Sequence, residues 1–380
     1  MVYWLASLPL VDGSVERTWT TLQNKTTYEA DLSLNYRFEL PDLRVGTLDT
    51  LMVLSDDLVK VNSMMEAVVN KIRRQLFDMQ TAGGSGEERE EVLVEGISPD
   101  AYIERFEWHD AKYPPRRPLA ETVQAITETV QKLEDDLKVR VSEYNQLKGQ
   151  LSAHARKQTG SLAVRDLTGI VKERDVVQTE NLTTLFVVVS KHTKNEWLSG
   201  YEALSDFVVP RSSKLVFEDN DYSLFTVVLF RRIADTFKSA ARAKGFQVRE
   251  YEFSADSQQA SQAQIQKLRQ DVETKRSQLE QWSSTAYGEA FSAWIHICAI
   301  RLFVESILRY GLPPQFLGVL IKPNPKTTTK LRKQLTSMFG TAGSNKYFDG
   351  EGGGSANTAA VAGAESDMYP YVSMTVSIDG

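Results

Sequence analysis

The sequence predicts an α+β protein that is predominantly helical. Three long segments repeat apolar residues at steps of three and four, the periodicity of a helix with one apolar face. Shorter runs of β-branched and aromatic residues lie between and around these segments and predict strands. The 380 residues exceed one ordinary domain, and the 42% hydrophobic content is enough to bury a core. We therefore expect an elongated dumbbell with a discontinuous foot domain, a long antiparallel helical neck and a small α/β head.

The first long segment predicts a helix from Leu51 to Met79, along which apolar residues form one stripe. A glycine-rich run that starts at Gly83 ends this helix. Two glycine-rich stretches without a hydrophobic period, Thr81–Glu91 and Gly340–Asp367, predict loops.

The second and third segments predict the two helices of the neck. One runs from Leu119 to Leu151, and the other starts near Ile265 and merges into an apolar segment that ends at Tyr310. Both keep near-heptad spacing with charged residues between, which is typical of a coiled coil. A narrow apolar stripe of this length needs a partner, and the nearest candidate is the other segment, running antiparallel. Lys275 lies in the predicted seam, where a polar residue helps to set the register.

Residues 160–254 predict the compact α/β head. Four runs rich in β-branched and aromatic residues predict strands at 182–189, 214–217, 222–230 and 246–253. Helical patterns span residues 197–204 and 231–244, the second ended by Gly245. The resulting order of strand, helix, strand, strand, helix and strand is that of a split βαβ domain.

Both ends of the chain also predict strands. They lie at Val2–Leu8 and Tyr36–Leu40 near the start, and at Phe316–Ile321 and Tyr371–Ile378 near the end. Antiparallel neck helices would bring the two ends to the same place, so we expect the ends to form one discontinuous domain. The predicted division is foot 1–118, neck helix 119–159, head 160–254, neck helix 255–285 and foot 286–380.

Composition and charge argue against several classes of protein. The 44 basic and 50 acidic residues give a net charge of −6, which disfavours a general nucleic-acid binder. The single cysteine, Cys298, cannot form an internal disulfide and fits a reducing compartment. The first residues lack a basic region before their apolar stretch, so no signal peptide is predicted. The apolar segment Ala290–Phe303 is interrupted at Arg301, short of the ~20 residues of a membrane span, so none is predicted.

The sequence predicts no catalytic, cofactor-binding or metal site. It contains neither the phosphate-binding loop G-x-x-x-x-G-K-[ST] nor the dinucleotide pattern G-x-G-x-x-G. The histidines lack the spacing of a zinc site and lie at His109, His154, His192 and His296. We interpret His296, on an apolar helix, as a hydrogen-bonded core residue rather than a ligand or base. Cys298, on the same helix, is better explained as a small buried hydrophobic residue than as a nucleophile.

Three clusters are locally basic: Lys71–Arg74, Arg116–Arg117 and Lys322–Lys333. Such clusters bind acidic partner helices or anionic lipid headgroups in some proteins. We favour solvated faces for each of them. From the residues alone, we therefore expect an elongated helical protein with a mechanical or connective role.

Several long, co-linear runs resemble one family of proteins. They are LRVGTLDTL (Leu43–Leu51), KIRRQ (Lys71–Gln75), DDLKVRVSEYN (Asp135–Asn145), KQTGSLAVRDL (Lys157–Leu167), VVPRSSKLVFED (Val208–Asp219) and YGEAFSAWIHICAIRLFVESILRYGLPPQF (Tyr287–Phe316). The chain resembles the C subunits of the vacuolar-type proton ATPases, over essentially its whole length, and plant members most closely. The stretches Thr81–Glu91 and Gly340–Asp367 match no pattern of that family.

The resemblance implies a non-catalytic stator and assembly subunit without a cofactor. Its partners would be the peripheral-stalk heterodimers of subunits E and G and the N-terminal domain of subunit a, and some members bind actin. It would be a monomer on its own, without a membrane span. In the pump it would lie on the cytosolic face of vacuolar and other endomembranes. The resemblance also implies a role in the reversible dissociation of the pump.

Two other functions remain open. A free-standing coiled-coil adaptor for actin or membranes would explain the heptads, and it predicts homodimers formed through Leu119–Leu151. An enzyme or nucleotide-binding regulator would need a phosphate site, for which the sequence offers no motif.

Overall fold

The computed structural model of the chain describes residues 1–82, 92–251, 254–340 and 369–378. Helices α1 to α8 span Val15–Gln23, Leu48–Ala82, Pro99–Glu104, Leu119–Thr159, Lys194–Gly200, Ala234–Ala243, Ala255–Tyr310 and Thr328–Phe339. Strands β1 to β8 span Val2–Pro9, Ser33–Arg37, Leu182–Ser190, Lys214–Glu218, Tyr222–Phe230, Gln247–Arg249, Phe316–Pro323 and Val372–Ser377. The predicted α+β, mainly helical class is confirmed. The predicted loops Thr81–Glu91 and Gly340–Asp367 lie almost wholly outside the described residues.

The residues fall into two compact units. The first joins Met1–Arg140 to Ser277–Gly380, and the second is Val141–Arg276. The unit boundaries lie inside α4 and α7. The five-part division predicted from the sequence has its boundaries at other residues and stays a prediction.

The sheet of the first unit takes strands from both ends of the chain. Its order is β2–β7–β1–β8, and every neighbouring pair is antiparallel. In this register Trp4 lies opposite Ile321 of β7 and Thr375 of β8. The sequence places β2 three residues too late, because Ser33 and Asn35 look like loop residues. Both residues are nevertheless buried. Their polar groups are satisfied inside the protein, because the Asn35 amide donates to Thr26 Oγ1 at 2.8 Å and Ser33 Oγ donates to Asn35 Oδ1 at 3.0 Å.

The second half of α7 forms the centre of the first unit. From Ala290 to Val304 almost every side chain is buried. Within the described residues, one helical stretch, Gln259–Tyr310, is long and apolar enough to cross a membrane by length and composition alone, and 83% of its apolar window is buried inside the protein. A helix that is apolar on all sides needs neighbours on all sides. One of those neighbours is α2, whose Asn62 accepts a hydrogen bond from Trp294 Nε1 at 3.0 Å.

The sequence periodicity does not reveal the short helices α1, α3 and α8. In α8 the residues Leu331, Leu335 and Phe339 are fully buried and form a stripe at steps of four. Lysines, threonines and prolines before and between them give the segment the composition of a solvated basic loop. Tertiary burial of a narrow stripe thus decides the structure here.

The second unit contains the predicted split βαβ arrangement. Its sheet has the order β4–β5–β3–β6, with all pairs antiparallel. One face packs on α5 and α6 through Trp197 and Phe237, both fully buried. The other face packs on Leu162 and Leu167, in a segment that the sequence assigns to no element. Of the predicted strand 246–253, Gln247–Arg249 pair with β3 as β6, and residues 252–253 lie outside the described part of the chain.

One side-chain contact in each unit connects α4 to α7, and the antiparallel neck stays a prediction. In the first unit the Arg140 guanidinium lies 5.0 Å from the centre of the Trp282 ring. In the second unit Lys275 Nζ donates to Glu143 Oε2 at 2.8 Å, which fits the predicted role of Lys275 in the register. Both ends of this ion pair are about half exposed, so its contribution to stability is on the order of 0–1 kcal/mol.

Two glycine substitutions are expected to change stability in opposite directions. A Cβ at Gly318 in β7 would overlap the carbonyl oxygen of Phe38, so Gly318→Ala forces the backbone to shift. We expect a loss of about 1–3 kcal/mol in the free energy of unfolding. The control Gly149→Ala in α4 meets no atom within 4 Å and should gain roughly 0.5–1 kcal/mol through helix propensity. Urea denaturation measures the free energy of unfolding of both variants. A Gly318→Ala protein as stable as the wild type would contradict the close approach of Gly318 to Phe38.

Candidate functional site

His296 is a core residue of the first unit, as the sequence predicts. Its side chain is fully buried. Its Nδ1–H donates to the carbonyl oxygen of Ser292 at 2.7 Å, and its Nε2 accepts the backbone N–H of His109 at 3.2 Å. The rings of Trp108 and Tyr113 have their centres 5.0 and 4.8 Å away. Burial lowers the pKa of His296 to about 4, so the imidazole stays neutral at pH 7 with both nitrogens engaged.

Cys298 of α7 is buried and forms a hydrogen bond to α2. Its Sγ donates to Asn62 Oδ1 at 3.2 Å, the oxygen that also accepts from Trp294. Burial raises the pKa of the Cys298 thiol to about 12, which leaves no thiolate for nucleophilic chemistry at neutral pH. Within the described ranges, no group of three or more His, Cys, Asp or Glu side chains is placed to hold a metal ion.

A cluster of ionisable groups connects α3 to the sheet of the first unit. The Tyr3 hydroxyl donates to Asp100 Oδ1 at 2.6 Å and to Glu104 Oε1 at 2.9 Å. Lys322 Nζ also donates to Glu104 Oε1 at 2.9 Å. Burial, and then the hydrogen bonds to the two carboxylates, raise the pKa of Tyr3 far above its usual value. The lysine partly balances the two carboxylates, so this cluster is a structural network rather than an acid–base pair.

The prediction that each basic cluster is a solvated face is only partly correct. Lys71 of α2 donates to Glu134 of α4 at 2.9 Å, and Lys322 belongs to the network around Glu104. The guanidinium of Arg332 stacks 3.8 Å from the Trp4 ring and donates to Ser373 Oγ at 2.8 Å. These cations form long-range contacts that no local pattern in the sequence reveals. Arg116, by contrast, is exposed as predicted.

The apolar stripe of α4 is covered inside this chain over much of its length. The buried positions are Leu119, Val123, Ile126, Val130, Leu137 and Tyr144. A homodimer formed through Leu119–Leu151 would need these side chains to be exposed, so the structure gives the adaptor hypothesis no support.

One surface of the second unit combines exposed aromatic rings with an arginine. We call Phe207, Phe230 and Arg232 the Phe207 surface. The Phe207 side chain is 54% exposed and that of Phe230 is 38% exposed. Their ring centres are 6.0 Å apart, and the Arg232 guanidinium lies 4.1 Å from the Phe207 ring and 5.9 Å from the Phe230 ring. The sequence could not predict this surface, because strand alternation does not show which aromatic residues stay exposed.

Phe207 also has a strained backbone. Its φ is 61°, in the left-handed region that bulky residues rarely adopt. Such a conformation costs about 1–3 kcal/mol and persists only where surrounding bonds enforce it. Here the carbonyl oxygen of Phe207 accepts the N–H of Phe230 at 3.3 Å, and the N–H of Val209 donates to Val228 at 2.9 Å. An exposed aromatic ring held in a strained position makes this loop a candidate binding site.

Comparison with known proteins gives a match along almost the whole chain. The family model for the C subunit of the V-ATPase matches residues 3–372. The chain is 49% identical to the V-type proton ATPase C subunit of Arabidopsis thaliana, over 99% of each chain. It is 48% identical to the Hordeum vulgare protein of the same name, over 81% of this chain and 88% of the relative. It is 38% identical to the V-type proton ATPase C subunit 1-B of Danio rerio, over 99% of this chain and 98% of the relative.

Among solved structures, the cytoplasmic N-terminal domain of subunit I, homolog of subunit a, of V-ATPase gives a TM-score of 0.24 at 12% identity. The alignment covers 90% of this chain and 98% of that one, and so low a score supports no conclusion about the fold.

The buried imidazole makes stability depend on pH. The pKa of His296 is about 4 in the folded chain and 6.5 in the unfolded chain, so only the unfolded chain takes up this proton between those values. The contribution of neutral His296 to the free energy of unfolding is complete above pH 6.5. It is lost as the pH falls towards 4, and the total loss is about 3 kcal/mol. Urea denaturation between pH 7 and pH 4.5 should show a steeper loss for the wild type than for His296→Gln. Parallel pH curves for the two proteins would contradict this prediction.

Proposed function

Because the chain belongs to the family of V-ATPase C subunits, we propose that it is a non-catalytic stator and assembly subunit of a vacuolar proton pump. The observation that supports this most strongly is the co-linear match at 49% identity over 99% of both chains. In this proposal the chain is a peripheral subunit on the cytosolic face of an endomembrane.

The proposed partners follow from the resemblance of the sequence to that family. One end of the chain binds a peripheral stalk made of subunits E and G, and the other binds a second such stalk and the N-terminal domain of subunit a. The same contacts are made and broken when the catalytic sector assembles on the membrane sector and leaves it. The dumbbell arrangement belongs to this proposal, and small-angle X-ray scattering of the free chain would check it.

A stator role has physical support in the two long helices. A rotary pump exerts torque on its rotor, and its static parts must resist an equal torque in the opposite direction. Helices α4 and α7 contain 41 and 56 residues, and antiparallel helices that bury a shared stripe are stiff. A stiff connector transmits force without storing it as bending.

Reversible release sets a second physical condition. A subunit that must leave on demand is held better by several modest, polar interfaces than by one large apolar surface. Attachment at two points makes each contact effectively intramolecular once the other has formed, so the loss of one contact weakens the other.

The proposal predicts direct binding of the purified full-length chain to a recombinant heterodimer of subunits E and G. Calorimetry should give saturable one-to-one binding, and size-exclusion chromatography with light scattering should show the free chain as a monomer. A stable homodimer that does not bind the heterodimer would contradict the proposal and favour the adaptor. Titration of the free chain with Mg·ATP is the control for the nucleotide-binding hypothesis, and we expect no heat of binding.

A further inference from the structure

We propose that the Phe207 surface is a docking site for an acidic helical segment of a partner protein. This inference rests on the proposed function, because it assigns the surface to the stalk heterodimer of subunits E and G. It goes further by naming the residues of this chain that make the contact and the chemistry of the segment that they bind.

The surface is already organised for binding. Phe230 ends β5 opposite Leu182 of β3, so a regular sheet fixes its backbone. Phe207 is tied to that strand by the backbone bond to Phe230, and Val208 forms an isolated bridge with Leu229. Ser212 Oγ donates to the carbonyl oxygen of Val209 at 2.6 Å and accepts the N–H of Val228 at 3.2 Å. A ligand would therefore meet rings whose positions are set before it binds, which lowers the entropy lost on binding.

Phe207 contributes little to the core of its own unit. More than half of the side chain is exposed, and the cluster that packs around Trp197 does not include it. Asparagine adopts the left-handed conformation more readily than phenylalanine and would leave this loop unstrained. Neither burial nor backbone geometry requires a phenylalanine here, and its ring contacts within the chain are to Arg232 and Phe230, which are themselves exposed. We therefore infer a contact of this ring outside the chain.

Arg232 defines the charge of the partner. Its guanidinium stacks on Phe207, and no carboxylate among the described residues forms an ion pair with it. Its neighbour Arg231 is also exposed, so this end of the sheet carries two adjacent cations. An arginine beside aromatic rings is typical of the central residues of protein interfaces, and a guanidinium binds a carboxylate through two parallel hydrogen bonds.

The spacing of the groups sets a condition that a helix can meet. The Arg232 guanidinium lies 4.1 Å from one ring and 5.9 Å from the other, so a ligand must offer a carboxylate and an apolar group close together. Side chains three or four residues apart on a helix are about 5–6 Å apart at Cβ. A helical segment with Asp or Glu one turn from an apolar residue meets this condition, and it is the segment that we propose.

Two single substitutions in the full-length chain test the surface. Phe207→Asn removes the ring but suits the left-handed backbone, and Arg232→Glu reverses the charge. Each should raise the Kd for the recombinant heterodimer of subunits E and G about tenfold or more in calorimetry. The thermal unfolding temperature of each variant should not fall below that of the wild type, because both side chains are exposed and asparagine relieves the backbone strain at position 207.

Matched controls on the same unit are Val164→Asn and Lys244→Glu. Val164 is 78% exposed and Lys244 is exposed, and neither belongs to the Phe207 surface. Both control proteins should bind the heterodimer as the wild type does. A loss of affinity in the controls as large as in the test variants would overturn the proposal, because the effect would then not be specific to the surface.

The outcomes separate this inference from the proposed function. A wild type that does not bind the heterodimer contradicts the proposed function, and the inference falls with it. A wild type that binds, with both variants binding equally well, overturns the Phe207 surface but leaves the stator role intact. A wild-type dimer that Phe207→Asn dissociates would show that a second copy of the chain occupies the surface, which also overturns the proposal.

Discussion

The structure depends first on the burial of the apolar half of α7. Between Ala290 and Val304 this helix has no face suited to water, so the first unit must surround it. Asn62 of α2 satisfies the Trp294 indole and the Cys298 thiol, and the segment around His109 covers His296. These hydrogen bonds matter because an unpaired buried polar group costs about 1–3 kcal/mol. The same helix continues into the second unit with only a stripe of apolar residues, so one element serves both a core and a helix pair.

A helix that belongs to the core of one unit and to a helix pair in the other is consistent with a connecting role. The groups whose pKa values are most strongly shifted, Tyr3, His296 and Cys298, are shifted mainly by burial, and their hydrogen bonds hold the fold together. Strain and exposure occur together elsewhere, at Phe207. In our proposal the functional sites are therefore surfaces, marked by exposed aromatic rings and by an arginine without an ion-pair partner among the described residues, rather than by acids and bases with shifted pKa values.

Sequence reasoning succeeds where one period dominates a long segment. The stripes of α2, α4 and α7 and the succession of strands and helices along the second unit follow from local patterns, as does the core position of His296. It fails where side-chain hydrogen bonds allow a polar residue to be buried, as for Asn35 of β2 with Thr26, or where a short apolar stripe lies among lysines, as in α8. The Phe207 surface could not be predicted, because its exposure and its positive φ depend on how the loop is bonded to β5.

The central claim is that one chain bridges two parts of a pump. The most direct test is to mix the purified chain with the heterodimer of subunits E and G and the cytosolic N-terminal domain of subunit a, and to determine the masses of the complexes by size-exclusion chromatography with light scattering. We expect a complex that contains all components, and we expect that this complex does not form when the chain is left out of the mixture. Two binary complexes that compete for the chain and never combine would contradict it.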